Sequence, residues 1–354
     1  MLAALALAAL MTAPSRAAAA AGYASAWVAP FDAFSSQDWA CFDEIDLFSH
    51  AFDSRQNLFA AYPNLVEQGL AAKPRRTALV AVVVNDVWDP KLADAQTLKS
   101  IPLLAHWLGD GKRLDRHVDD LSKVAAPFDG LELDYERIPE HLWGPFVDLV
   151  EKLSDKLHAQ GKTLSVAVEA GPLYSHGGAI ARQHWRRLGA AADKVKIMCY
   201  YERGEFSDSV GPGNSTEFVA ETGRRALAYI PADHLSLGLS LAATDWQVPL
   251  PVLQARRHVA RLHFRKARAL MAEQNAQPLW DDSFNAPYFK YAKDGQDHAV
   301  YYEDEKSLGA KIAAARALGV GVSLWYLGAE RPDLRAMGLC GRADAPGPGA
   351  PKTP

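Results

Sequence analysis

Along most of the chain, short runs rich in β-branched residues and leucine alternate with stretches of helical periodicity. An apolar run of four to eight residues bounded by turn formers reads as a strand, and apolar positions recurring every three or four residues read as one helix face. Strands are predicted at 26–30, 45–52, 78–84, 131–135, 164–168, 195–200, 235–241 and 321–327. Helical spacing is clearest over 141–157, where Leu142, Phe146, Leu149, Leu153 and Leu157 share a face, and over 305–318. Strands interleaved with helices in this number predict an α/β fold, a (β/α)8 TIM barrel. A β-hairpin insertion is predicted between strands seven and eight, within 280–303, on the face where barrel enzymes build their sites. No glycine-rich loop follows the first strand, where Phe31 leads into Asp32-Ala33-Phe34, and this argues against a dinucleotide-binding fold.

Composition narrows the picture further. The 354 residues are 49% hydrophobic and 23% charged, enough apolar material for a large core. Lysine and arginine total 38 against 42 acids, a formal charge of -4, so no overall attraction to nucleic acid is expected. Cys41, Cys199 and Cys340 cannot all pair and are too few for a disulfide framework or a structural zinc site, so stability is expected from packing, with no metal. The leucine- and alanine-rich opening, too short to span a bilayer, reads as a signal peptide over 1–21. The folded domain is then 22–341, 342–354 is a proline- and glycine-rich disordered tail, and the product is secreted or periplasmic without stable membrane insertion. The basic run 256–268 reads as a solvated helix face with Val259, Leu262 and Leu270 inward, a grip on anionic wall polymer being the alternative.

The most informative stretch is Phe128-Asp-Gly-Leu-Glu-Leu-Asp-Tyr-Glu136 on the fourth strand. Side chains alternate across a strand, so Leu131, Leu133 and Tyr135 face the helices while Glu132, Asp134 and Glu136 point into the barrel, successive acids about 6 to 7 Å apart. Like charges crowded in a desolvated site favour protonating one member, which suits acid chemistry near neutral pH. Glu136, nearest the C-terminal end of the strand, is the best-placed acid. A cation site built on the three carboxylates is the competing reading, and it lacks the extra ligand spacing expected nearby.

This stretch resembles the DG-x-D-x-D-x-E signature of glycoside hydrolase family 18, the chitinase family. Asp129-Gly130 matches the opening, Asp134 the last aspartate and Glu136 the catalytic glutamate, while Glu132 stands where many members carry the middle aspartate. Ile197-Met-Cys-Tyr200 is similar to the family's M-x-Y element, and Ser323-Leu-Trp325 to the tryptophan that floors the cleaved sugar's subsite. The Asp245-Trp246 pair and the segment 298–304 look most like the branch containing spore-cortex-lytic N-acetylglucosaminidases. The resemblance implies a (β/α)8 enzyme cleaving β-linked N-acetylglucosamine glycans, chitin oligomers or peptidoglycan strands, without a cofactor. Catalysis would be retaining and substrate-assisted, with Glu136, Asp134 and Tyr200 catalytic. Substrate contacts would come from Glu132, Asp129, Trp325, Met198, Asp245, Trp246, Glu202 and Trp27. A chitinase-like protein that binds glycan with little or no turnover is the alternative, and the oligomeric state is left open.

Overall fold

The computed structural model describes residues 22–88, 96–175, 178–200, 202–204, 207–249, 259–328 and 332–340. Eight parallel strands close a barrel: β1 (Ala24–Val28), β2 (Glu44–Phe52), β3 (Ala78–Trp88), β4 (Gly130–Asp134), β5 (Thr163–Glu169), β6 (Lys194–Met198), β7 (Leu235–Ser240) and β8 (Gly321–Trp325). Each pairs with its neighbours in chain order, and closure is made by β1 against β8, with Ala24 opposite Val322. All eight fall on the runs predicted from the apolar pattern.

The period-2 alternation separates two environments. Leu131 and Leu133 face outward into the main core with Phe146, Leu149 and Leu153 from the helix Trp143–His158, all fully buried. Tyr135 follows the same parity, and its hydroxyl is hydrogen-bonded to His117 Nε2 at 2.8 Å. Glycine at 130 is a packing requirement: a Cβ there would stand 2.3 Å from Thr163 Oγ1 and 2.7 Å from the Thr163 carbonyl on the adjoining strand. The Asp-Gly pair thus sits where β4 enters the barrel from below, a full strand length from the acids at its other end.

The insertion is larger than the expected hairpin. It is a five-stranded antiparallel sheet ordered Val259–Leu262, Ala243–Val248, Gln296–Tyr301, Ala286–Lys293, Leu279–Asp281, and it carries the helix Phe264–Glu273. It has its own apolar centres, one around Phe289 and Val300 and one around Trp246 and Ala286. The basic run 256–268 is therefore not one helix face, because its described part divides between a strand and the first turns of a helix. Packing is also not the only tie: Cys41 and Cys340 form a disulfide across a sequence separation of 299, with their Cα atoms 4.5 Å apart. Cys199 is buried and unreactive by environment, its thiol pushed up to about 12 by burial. Among the described residues no helix is long and apolar enough to cross a membrane. The predicted signal peptide and the predicted tail lie outside the described residues.

Candidate functional site

The parity of β4 carries Asp134 and Glu136 to the C-terminal mouth of the barrel, where both line a cavity of about 300 Å³ with Trp27, Lys99, Met198 and Tyr200. Trp325 closes this cavity from β8. A second cavity, about 560 Å³, continues from Glu136 past Glu169, Tyr200 and Glu202, so Glu136 and Tyr200 stand where the two halves of a cleft meet.

Glu136 lies two residues past the end of the ladder that β4 makes with β3, and its backbone is held by one side chain. Asn85 at the end of β3 donates from Nδ2 to the Glu136 carbonyl at 3.0 Å and accepts from the Glu136 N–H at Oδ1, also 3.0 Å. The Glu136 carboxylate, 17% exposed, forms an ion pair with Lys99. Lys99 is itself fixed by its N–H donating to Asp86 Oδ1 at 2.8 Å. Burial acts to lower the Lys99 ammonium, but Asp134, Glu136 and Asp86 outweigh it and hold it above the usual lysine range.

Asp134 is nearly sealed from solvent at 5% exposure. Burial pushes its carboxyl up to about 8; Lys99 opposes the shift, and Glu136, Glu132 and Asp86 reinforce it. Its Oδ1 is buried with no hydrogen-bond partner among the described residues. Asp134 is therefore a protonated acid at neutral pH with an oxygen still to be satisfied, beside a second carboxyl that is partly open. Tyr200 comes from beyond the end of β6 and is 8% exposed. A Cβ at Gly238 would approach its hydroxyl to 3.2 Å, so the glycine on β7 leaves that hydroxyl its place. Trp27 and Trp325 meet edge to face with centroids 5.9 Å apart, and Phe48 abuts Trp325 at 5.5 Å. Glu202 borders the second cavity, its Oε2 accepting from the Ser215 N–H at 2.6 Å.

Four of the expected substrate contacts are corrected. Glu132 points inward as its parity requires, but it is fully buried below the cavity. Its Oε1 accepts from Trp27 Nε1 at 2.5 Å and its Oε2 pairs with Lys196 Nζ at 2.6 Å. Asp129 lies at the N-terminal end of β4, paired with Lys73 and accepting from the Leu79 N–H at 2.8 Å. Trp246 is fully buried inside the insertion, its Nε1 donating to the Gly211 carbonyl at 2.8 Å. Asp245 accepts from the Tyr291 hydroxyl at 2.7 Å and is 2.9 Å from His298 Nδ1, again within the insertion. The two residues after strand seven are apart from the cleft because the chain there joins a second sheet and does not loop over the barrel mouth.

Lys99 and Asp86 escaped the sequence reading. They lie beyond the apolar run of β3, where neither periodicity nor the motif marks them. The only signal was the length of polar chain between strands three and four on the site face. The three carboxylates Glu44, Asp46 and Glu132 bring oxygens within 4.8 Å of one another, the spacing of a cation site, but the Lys196 ammonium stands among them. Its Nζ is 2.8 Å from Glu44 and 2.6 Å from both Asp46 and Glu132, so a protein cation already satisfies the cluster.

The family model described as glycosyl hydrolases family 18 matches residues 112–330. A cortical fragment-lytic enzyme of Bacillus subtilis (strain 168) is 26% identical over 212 residues, 58% of this chain and 48% of that protein. A putative sporulation-specific glycosylase of the same organism is 23% identical over 210 residues, 56% of this chain and 47% of its own length. The chain thus spans about half the length of the curated relatives it matches. Among solved structures, the spore cortex-lytic enzyme SleL of Bacillus cereus superposes with a TM-score of 0.73 at 19% identity, over 90% of this chain and 74% of that one. A chitinase from Chromobacterium violaceum superposes at 0.71 with 22% identity, over 90% and 98% respectively.

Proposed function

The chain belongs to glycosyl hydrolase family 18, and on that premise we propose that it hydrolyses β-linked N-acetylglucosamine-containing glycans by retaining, substrate-assisted catalysis. The observation that carries the reading is the pair at the end of β4: a neutral, buried Asp134 with an unsatisfied oxygen beside a partly open Glu136, in one cavity that Trp325 also lines.

Glu136 protonates the leaving glycosidic oxygen. Its proton comes from Asp134, the protonated member of the pair, and reaches Glu136 as the Lys99 ion pair opens, because the glycosidic oxygen and the ammonium compete for one carboxyl; Asp134 is left as the carboxylate. The 2-acetamido oxygen of the substrate then attacks the anomeric carbon, so no protein carboxylate is needed as nucleophile, the family's departure from the usual two-carboxylate scheme. Asp134, ionised once its proton has moved to Glu136, accepts the acetamido N–H as the ring closes and stabilises the positive oxazolinium. Tyr200 holds the acetamido oxygen, Trp325 offers its face to the sugar, and Trp27 and Met198 wall the same cavity. Glu136, now a base, activates the water that opens the intermediate. Export to the periplasm or beyond the cell follows from the predicted signal peptide, and the Cys41–Cys340 disulfide supports it, since such bonds persist in oxidising compartments.

The test is a matched pair of aryl glycosides of chitobiose, one with the 2-acetamido group on the cleaved sugar and one with 2-hydroxyl. Turnover of the first with at least a 100-fold loss on the second is expected. Equal cleavage of both rules out substrate assistance.

A further inference from the structure

Behind Trp325 and Tyr200 a second opening runs between the insertion and the ends of β7 and β8, a cavity of about 130 Å³ that shares only those two residues with the catalytic cavity. We propose that it is an anion subsite receiving a carboxylate carried by the bound glycan. By this means the enzyme selects acidic N-acetylated strands, such as the muramyl-bearing strands of peptidoglycan, over neutral chitin. The inference rests on the hydrolase reading above and names the substrate class within it.

The electrostatics of the two compartments are opposite. Among the described residues the cleft is lined by Asp86, Asp134 and Glu136 with Lys99 the one cation, and it continues past Glu169 and Glu202. A substrate carboxylate there would face like charges. Among the described residues the side cavity is lined by Arg261 and Arg265, with Asp32 the acid on its wall. Arg261 is held in place by donating from Nη2 to the Arg203 carbonyl at 3.0 Å, so its charge is preset. Arg265 is 55% exposed and stands 3.7 Å from Asp32, too far for a tight pair and therefore open to exchange for a better acceptor. Its planar fork matches a carboxylate bidentately. His263 lies between the arginines and lines the same cavity; burial and Lys266 hold it below the ordinary histidine range, so it is neutral at pH 7 and adds a hydrogen-bonding ring rather than charge. Tyr326 completes the wall, its hydroxyl buried and without a hydrogen-bond partner among the described residues. Because Trp325 and Tyr200 separate the compartments, the anion must sit on a substituent that reaches past these rings, as an ether-linked lactyl group does.

The probe is a tetrasaccharide of alternating N-acetylglucosamine and N-acetylmuramic acid, compared with the same compound whose muramyl carboxyls are converted to carboxamides. Wild type should show a kcat/KM ratio of acid to amide of about 10 to 100, the range of a charge-assisted bidentate contact. Arg265→Met should bring that ratio to about one, Arg265→Lys should restore part of it, and Asp32→Asn should raise it by removing the competing acid. A wild-type ratio near one, or a ratio unmoved by Arg265→Met, overturns the subsite. Cleavage of chitotetraose without cleavage of either muramyl compound also overturns it while leaving the hydrolase reading intact. Failure on chitotetraose and on both muramyl compounds overturns the hydrolase reading instead.

Discussion

Lys196 meets Glu44, Asp46 and Glu132 beneath the floor of the cavity, whereas Lys99 in its wall pairs with Glu136 within the field of Asp134 and Asp86. The two clusters have the same composition, one ammonium and three carboxyls, and differ in access. Lys196 and Glu132 have no solvent exposure, and Ser165 adds a further hydrogen bond to Glu44 at 3.1 Å. Burial raises Asp46, while Glu44 is held down to about 2 by Lys196 against burial, so the cluster divides its protons internally. No ligand can reach it. Lys99 and Glu136 are 20% and 17% exposed and open on the cavity, so a sugar can take the place of either partner. Identical charges therefore serve structure in one place and chemistry in the other, and what separates them is one step along β4, from Glu132 to Asp134.

The largest separation of the two clusters should come from Glu136→Gln, which removes the acid and base but keeps the shape. Turnover of chitotetraose should fall roughly 10²–10⁴-fold, while the melting temperature barely moves. Lys196→Met should do the reverse. It strands three buried carboxyls, and breaking a buried ion cluster on one side costs about 3–5 kcal/mol of folding stability, readable in urea unfolding. A melting curve unchanged by Lys196→Met would mean that the lower cluster is not the brace described here.

The pH dependence of stability sharpens the comparison further. Asp134 is raised from its ordinary 3.8 to about 8, so the folded state binds a proton that the unfolded chain has released. Its contribution is fully present below pH 4 and is lost as pH rises through 8. Asp134→Asn should remove this part of the decline in melting temperature between pH 4 and 8. Lys99→Met, which takes away the charge opposing the shift, should extend the decline to higher pH. The smallest effect is expected at Asp245→Asn. Its partners Tyr291 and His298 belong to the insertion, so chitotetraose turnover should stay within about threefold of wild type. A 100-fold loss there would bring the insertion into the catalytic step.

What was legible in the sequence was what alternation encodes. Leu131, Leu133 and Tyr135 against Glu132, Asp134 and Glu136 defined both faces of β4, and Met198 and Tyr200 share the inward parity of β6. Lys196 has that same inward parity, and a lysine flanked by Val195 and Ile197 could have announced a buried counter-ion. Depth along a strand was not legible, because parity says which way a side chain points and not how far it lies from the mouth. That is why Glu132 was expected in the cleft, whereas Asp129, of the opposite parity, was expected there only from its place in the family motif. Asp245 and Trp246 were expected at the cleft from the resemblance, and nothing local in the sequence says that Ala243–Val248 leaves the barrel for a second sheet. The Cys41–Cys340 bond joins positions whose proximity exists only once the barrel has closed.

The central claim is that Asp134 and Glu136 act on an acetamido sugar by double displacement through the substrate's own amide. The most direct measurement is proton NMR of the first product released by the wild-type enzyme from chitotetraose, before mutarotation sets in. The β-anomer appearing first at the new reducing end is the predicted result, and the α-anomer appearing first would contradict the account.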